Sequence, residues 1–286
     1  MSALVAISPG RRRKDVLMRS LTGAAAALAL LPLVLILYYV IKRGVGAWSV
    51  SFFTTDPNNN FLGDPGGVKS AILGTVEMVA LAAAIAVPVG VAVALYLTEY
   101  GRDGRFANAV RYFIDVMTGV PSIVFGLFVY TVLVLGTGGS FAGWKGSVAL
   151  ALLMLPVVSR SAEVALTLVP DNLREGALAL GAPRWRVIAR IVLPTAAPAI
   201  VTGVLLAIAR AAGETAPLLF TATLANDTTF DLSQRMNSLP ALIFSDVGQP
   251  RDVLVQRAWG AALTLVAMIL LLTLVARLIA RRSRLR

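Results

Sequence analysis

Six apolar stretches, running roughly 21–41, 70–97, 112–136, 147–169, 196–220 and 259–280, leave this 286-residue chain little choice of fold. Each is long enough to cross a hydrocarbon layer of about 30 Å, which takes about 20 helical residues. Backbone N–H and C=O groups find no water in lipid, so each stretch must satisfy them internally, as a helix. Only 14% of the residues are charged and the mean hydropathy is +0.79, unlike a soluble domain of this length. The expected fold class is all-α: a polytopic membrane protein with about six transmembrane helices. Pro88 and Pro121 fall inside apolar stretches, where membrane helices tolerate them; Pro121 is expected to kink the third span.

Charge sets the orientation. The net charge is +11, which in a soluble chain points to nucleic acid. Here the basic residues flank apolar runs, so a lipid surface is the partner and no nucleic acid is expected. With a cytoplasmic start, seventeen of the 26 basic residues fall on inner segments and seven on outer ones, Arg160 and Arg210 lying within spans. The positive-inside rule then places both termini in the cytoplasm. Residues 1–20 read as a cytoplasmic basic segment and 21–286 as a transmembrane domain. The run Arg11-Arg12-Arg13-Lys14 ahead of an apolar stretch also resembles a signal peptide. The stretch exceeds the ~7–15 residues of such a segment and leads into Lys42 and Arg43, not a cleavage site, so a retained helix is expected. Residues 42–69 and 221–258 form outer loops, the first with turn chemistry at 56–60 and 63–67. The triplet Asn226-Asp227-Thr228 is a chance-level glycosylation match. Trp48, Trp144 and Trp259 fall at outer span ends, as an aromatic belt requires.

The chain has no cysteine and no histidine, which excludes disulfides, thiolate zinc sites and Cys- or His-based catalysis. It has no Gly-x-x-x-x-Gly-Lys-Ser/Thr phosphate loop. No catalytic residue, metal or bound cofactor is expected; ATP hydrolysis would have to belong to a partner.

The inner loop 171–194 reads DNLREGALALGAPRWRVIARIVLP. Asp171 and Glu175 suit the start of a short helix, Gly181 breaks it, Pro183 opens a second piece and Pro194 closes it. Two short helices joined by a Gly turn either lie on anionic lipid or insert into a groove on a partner. Glu175, Ala177 and Gly181, followed ten residues later by Ile191 and then by Leu193-Pro194, resemble the "EAA" loop of ABC importer permeases. Gly176 departs from that pattern, small for small. The resemblance implies that the loop docks in a cleft of an ATPase subunit and passes its motion to the spans.

Three further segments look like the permeases of the phosphate-specific importer: GVPSIVFGLFVY (119–130), LPVVSRSAEVALTLVPDNLRE (155–175) and GVLLAIARAAGETAPLLFTA (203–222). Asn237-Ser238-Leu239-Pro240 and the run from Ala258 to Leu263 resemble the PstA-type member rather than its PstC-type partner. That resemblance implies a PstC-like second permease, a pair of ATPase subunits holding ATP and Mg, an extracytoplasmic phosphate-binding protein, and inorganic phosphate as cargo.

The residues agree. Arg160 and Glu163 fall in the fourth stretch, Arg210 and Glu214 in the fifth. An Arg at the bilayer centre costs about 2.5–3.5 kcal/mol on insertion scales and usually marks a substrate path. Guanidinium matches a phosphate oxyanion with paired, charge-assisted hydrogen bonds. Both pairs also lie within i,i+3 or i,i+4 reach, so each Arg has a structural role open to it. A carboxylate beside the path accepts a hydrogen bond from monohydrogen phosphate but repels sulfate. Glu77 and Asp115, the latter one turn after Arg111, read as structural or interfacial. Rivals are an ABC permease for sulfate or molybdate, and a stand-alone secondary transporter, which should show internal hydropathy symmetry that this sequence lacks.

Overall fold

The computed structural model describes residues 9–58, 64–102 and 104–283. The start of the basic segment (1–8), turn residues 59–63 and the tail arginines Arg284 and Arg286 lie outside the described residues. The described residues are helical almost throughout.

The first helix, α1 (Pro9–Gly44), starts well before the apolar stretch and carries the basic run on its first turns. It packs chiefly along the last helix, α12 (Asp252–Ser283), and most of its apolar side chains stay exposed. After the short α2 (Val50–Thr54) comes α3 (Lys69–Leu95), which runs through Pro88 and ends in a π-helical turn, Tyr96–Gly101.

The third stretch is not one kinked helix, contrary to expectation. It divides into α4 (Arg105–Gly119) and α5 (Ser122–Val129, extended by irregular turns to Thr137), bent by 102° to each other. Pro121 has no N–H and crowds the preceding residue out of helical geometry. Val120 is accordingly extended (φ −73°, ψ 130°), and the chain turns a corner there. Among the described residues there are thus five candidate spans, or six with the bent pair.

The fourth stretch is α6 (Gly143–Thr167), the most buried span. The loop that follows holds α7 (Asp171–Ala179) and then α8 (Arg184–Val187), which passes through a π-helical turn at Ile188–Val192 into α9 (Leu193–Ala212). Pro194 therefore does not close the second loop helix; Arg184–Ala212 is one span. The widened turn just ahead of the proline relieves the clash its ring makes with the preceding turn. The fifth stretch breaks instead at Gly213–Thr215, before α10 (Ala216–Thr221), and α11 (Leu239–Val247) follows.

The core lies between α3, α6 and α9, where Met78, Ala82 and Ala86 meet Leu150, Met154 and Val158, and Ala207 and Ala211. Without a hydrophobic drive in lipid, helices associate where small residues let them approach closely. Gly203 is such a place: a Cβ there would lie 2.3 Å from Cβ of Ser161.

The end of the bundle away from loop 171–194 is tied by polar contacts. Asp56 accepts hydrogen bonds from Thr228, and the Trp48 indole donates to Gly260 O and Thr264 Oγ1. Asp246 of α11 and Arg257 of α12 form a buried two-pronged pair (2.7 and 2.9 Å), 4% and 5% exposed. Removing one member strands the other's charge. Asp246→Ala is expected to destabilise the chain by about 3–5 kcal/mol, whereas replacing both residues with Leu should recover most of that loss. Thermal unfolding of the purified protein in detergent checks both.

Candidate substrate path and coupling element

Helix α6 runs antiparallel to α9–α10, and two contacts fix their register. Gly203 lies against Ser161, and Ala142 N donates to Thr221 O (3.0 Å). Arg210 is therefore level with the middle of α6, near Met154, with which Ala207 and Ala211 share the core. Arg160 sits about six residues nearer loop 171–194, roughly 9 Å at 1.5 Å per residue.

Helical phase sets the direction of both. On α9, Ala207, Ile208 and Ala211 pack into the core, while Thr202, Leu206 and Arg210 are exposed. On α6, Val158 and Ser159 face Gly90 of α3, while Arg160 and Val164 are exposed. The two arginines thus share the open face of the α6–α9 seam, opposite α3, and each side chain is 53% exposed.

Their carboxylate partners differ. Glu214 lies in the break after α9, 3.8 Å from Arg210 Nε, a loose contact. Glu163 is mostly buried and shared between two guanidiniums: Oε2 takes Arg160 Nη1 at 3.1 Å and Oε1 takes Arg111 Nε of α4 at 2.6 Å. Arg111 thus reaches across to α6. Asp115 is exposed, and Glu77 has one buried carboxylate oxygen without a hydrogen-bond partner among the described residues. Two segments singled out in the sequence meet: a Cβ on Gly126 of α5 would lie 2.7 Å from Pro217 Cα.

Loop 171–194 has two faces. Ala177, Ile191 and Leu193 pack beneath it on a core of Leu166, Val169, Val187 and Val192. Glu175, Gly181 and Pro194 are exposed, as are Leu178, Leu180 and Trp185, with Arg184, Arg186 and Arg190 beside them. Gly181 has φ +80° and open space around it. An exposed apolar knob with a basic rim has the composition common to docking surfaces.

Sequence reasoning missed what holds the loop. Arg174 is buried: it pairs with Glu99 (3.1 Å) and Asp171 (3.0 Å) and donates to Val169 O and Leu166 O. Arg184 donates to Glu99 O and stacks over Tyr100, 5.0 Å from the ring centroid. Glu99 comes from the π-helical end of α3, about 75 residues away in sequence, so no local spacing marks the pair.

The fold defines a class first: among the described residues, an all-helical protein with several candidate membrane spans. The chain belongs to the family of binding-protein-dependent transport system inner membrane components, which it matches over residues 86–285. It is 40% identical to the phosphate transport system permease protein PstA of Yersinia pestis, over 96% of this chain and 92% of that one. It is 42% identical to phosphate transport system permease protein PstA 1 of Mycobacterium tuberculosis (strain H37Rv), over 96% and 91%. Among solved structures, a bacterial alginate ABC transporter in complex with an alginate pentasaccharide-bound periplasmic protein has the same fold. There the TM-score is 0.67 at 17% identity, covering 94% of this chain and 96% of that one. Family membership sets aside the stand-alone secondary transporter.

Proposed function

We propose that this chain is one of two membrane-spanning subunits of an ATP-driven importer that moves inorganic phosphate into the cytoplasm by alternating access. It works beside a PstC-like permease, a pair of ATPase subunits that bind ATP and Mg, and an extracytoplasmic phosphate-binding protein. The observation that carries the reading is Arg210: a guanidinium at mid-span depth on a face its own chain leaves open. Turned to lipid, it would cost several kcal/mol. Turned to a second permease across a polar path, it meets an anion with paired hydrogen bonds. The relatives named above, at about 40% identity over nearly the whole chain, supply the choice of phosphate.

In this reading loop 171–194 faces the cytoplasm and seats its apolar knob in the ATPase. Glu175, Gly181, Leu178 and Trp185 touch the partner; Ala177, Ile191 and Leu193 pass its movement to α6 and α9. Arg210 and Arg160 then offer two stations along the path, roughly 9 Å apart. Each must hold the ion weakly enough to release it, and Glu214 and Glu163 temper them by competing for the guanidiniums.

The test is reconstitution of all subunits in proteoliposomes with radiolabelled phosphate. Accumulation should require Mg-ATP and resist excess sulfate or molybdate. Equal competition by sulfate would reassign the cargo. Glu214→Gln should weaken discrimination specifically, because the amide no longer repels sulfate. Sulfate uptake relative to phosphate is expected to rise about ten-fold, one hydrogen bond's worth. An unchanged ratio places selectivity elsewhere.

A further inference from the structure

The arginine at the loop-facing station, Arg160, shares its carboxylate with a third group that the sequence left unassigned. Glu163 has two oxygens and two cations: Arg160 on one, Arg111 on the other. The Arg111 contact is the shorter, 2.6 against 3.1 Å, and Arg111 is the less exposed of the two guanidiniums. The remaining donors of Arg111 reach the end of α3, at Leu97 O and Arg102 O, and Asn108 on its own helix. Nη2 binds Leu97 O (2.9 Å), and Nη1 binds Arg102 O (2.6 Å) and Asn108 Oδ1 (3.1 Å). Arg111 is therefore a bracket between the π-helical turn 96–101 and Glu163.

The same turn is also gripped by the coupling loop, through Arg174 on the Glu99 carboxylate and Arg184 on the Glu99 carbonyl. The contacts form one continuous series: loop, turn, Arg111, Glu163, Arg160. Around the turn and the neighbouring cavity, Arg102, Arg111, Arg174 and Arg184 stand beside Glu99, Glu163, Asp171 and Glu175. Among the described residues four guanidiniums stand against four carboxylates around the turn, one of which, Glu163, is shared with Arg160, so the cluster is a fastening and the excess positive charge falls at Arg160.

We propose that Arg111 is a positioning residue for transport, resting on the phosphate reading above: it keeps one of the two Glu163 oxygens away from Arg160, and the coupling loop sets that hold through the turn. With Arg111 in place, Glu163 gives one oxygen to each cation, and the trio carries a net positive charge for an anion to meet at Arg160. Without it, the freed carboxylate turns both oxygens to Arg160. That paired geometry is the strongest available to a guanidinium and competes directly with a phosphate oxyanion. Arg160 is then neutralised without being altered.

This makes a prediction that a purely structural role does not. In the reconstituted importer, Arg111→Gln should leave the ATPase subunits bound and their basal hydrolysis within about two-fold, while phosphate uptake per assembled complex falls about ten-fold. Adding Glu163→Gln to that variant removes the competing carboxylate and should restore uptake to within about three-fold of wild type. If Arg111 merely braces α4 against α6, removing the carboxylate cannot restore that brace and uptake stays low, which overturns the proposal. Wild-type uptake in Arg111→Gln overturns it as well. If the Gln variant does not assemble, Arg111→Lys takes its place: one ammonium does not span both the turn and Glu163, so uptake should fall about three-fold and again recover with Glu163→Gln. No recovery there overturns the proposal. A wild-type complex that accumulates no phosphate brings down the parent reading and this one with it. A wild type that transports while the variants disobey removes only the role of Arg111.

Discussion

Arg210→Ala is expected to leave the importer assembled and to cut phosphate accumulation about a hundred-fold, the loss of roughly 3 kcal/mol of charged hydrogen bonding to the ion. Assembly should survive because little in the chain depends on this guanidinium. Its side chain is half exposed, and its ion pair with Glu214 spans 3.8 Å. The core beneath it is made by Ala207 and Ala211, which the substitution does not touch. Transport should not survive, because a mid-span path without a cation presents the doubly charged ion with a desolvation barrier and nothing to offset it. Arg210→Lys separates charge from geometry. It keeps the positive charge but loses the planar fork, and an intermediate loss of about ten-fold is expected. Uptake by proteoliposomes, normalised to retained ATPase, checks both. Accumulation by Arg210→Ala at the wild-type rate would place the path elsewhere.

How much of this was legible in the residues follows from the range of the forces involved. Apolar length alone reads spans, because lipid thickness is a one-dimensional constraint. It cannot read direction changes inside a span, so 112–136 looked continuous although Val120-Pro121 turns the chain by 102°. Pro194 shows the opposite error: a proline that looked terminal is carried by a π-helical turn, and the helix runs on to Ala212. Arg210 and Glu214 were visible as a local pair and remain one. The shared hold on Glu163 was not visible. Its second partner, Arg111, is 52 residues away, whereas local spacing shows Asp115 one turn after Arg111. Long-range pairs such as Arg174–Glu99 depend on how α3, α6 and the loop pack, which periodicity does not encode.

Gly181→Leu should do the reverse of the Arg210 change, leaving the path intact and loosening the ATPase. Gly181 is left-handed, φ +80°, and its N–H donates to Leu178 O (2.9 Å) to close the turn after α7. A side chain with a Cβ costs about 1–2 kcal/mol in that conformation, more for a bulky one. Apart from its two chain neighbours, nothing lies within 4 Å of where that Cβ would be, so the strain is in the backbone and not in a clash with packed residues. The leucine then adds bulk near Leu180 and Trp185, which are 90% and 60% exposed, on the surface proposed to meet the ATPase. Backbone strain and added bulk act together, and retention of ATPase subunits on co-purification is expected to fall about ten-fold. Gly181→Asn distinguishes the two causes. Asn adopts the left-handed region more readily and adds a smaller, polar group, so it should retain most of the ATPase. Stimulation of ATP hydrolysis by the loaded binding protein should follow the same order, Gly, then Asn, then Leu. Binding and stimulation that are unchanged in the Leu variant would show that force enters this subunit somewhere other than the turn at Gly181.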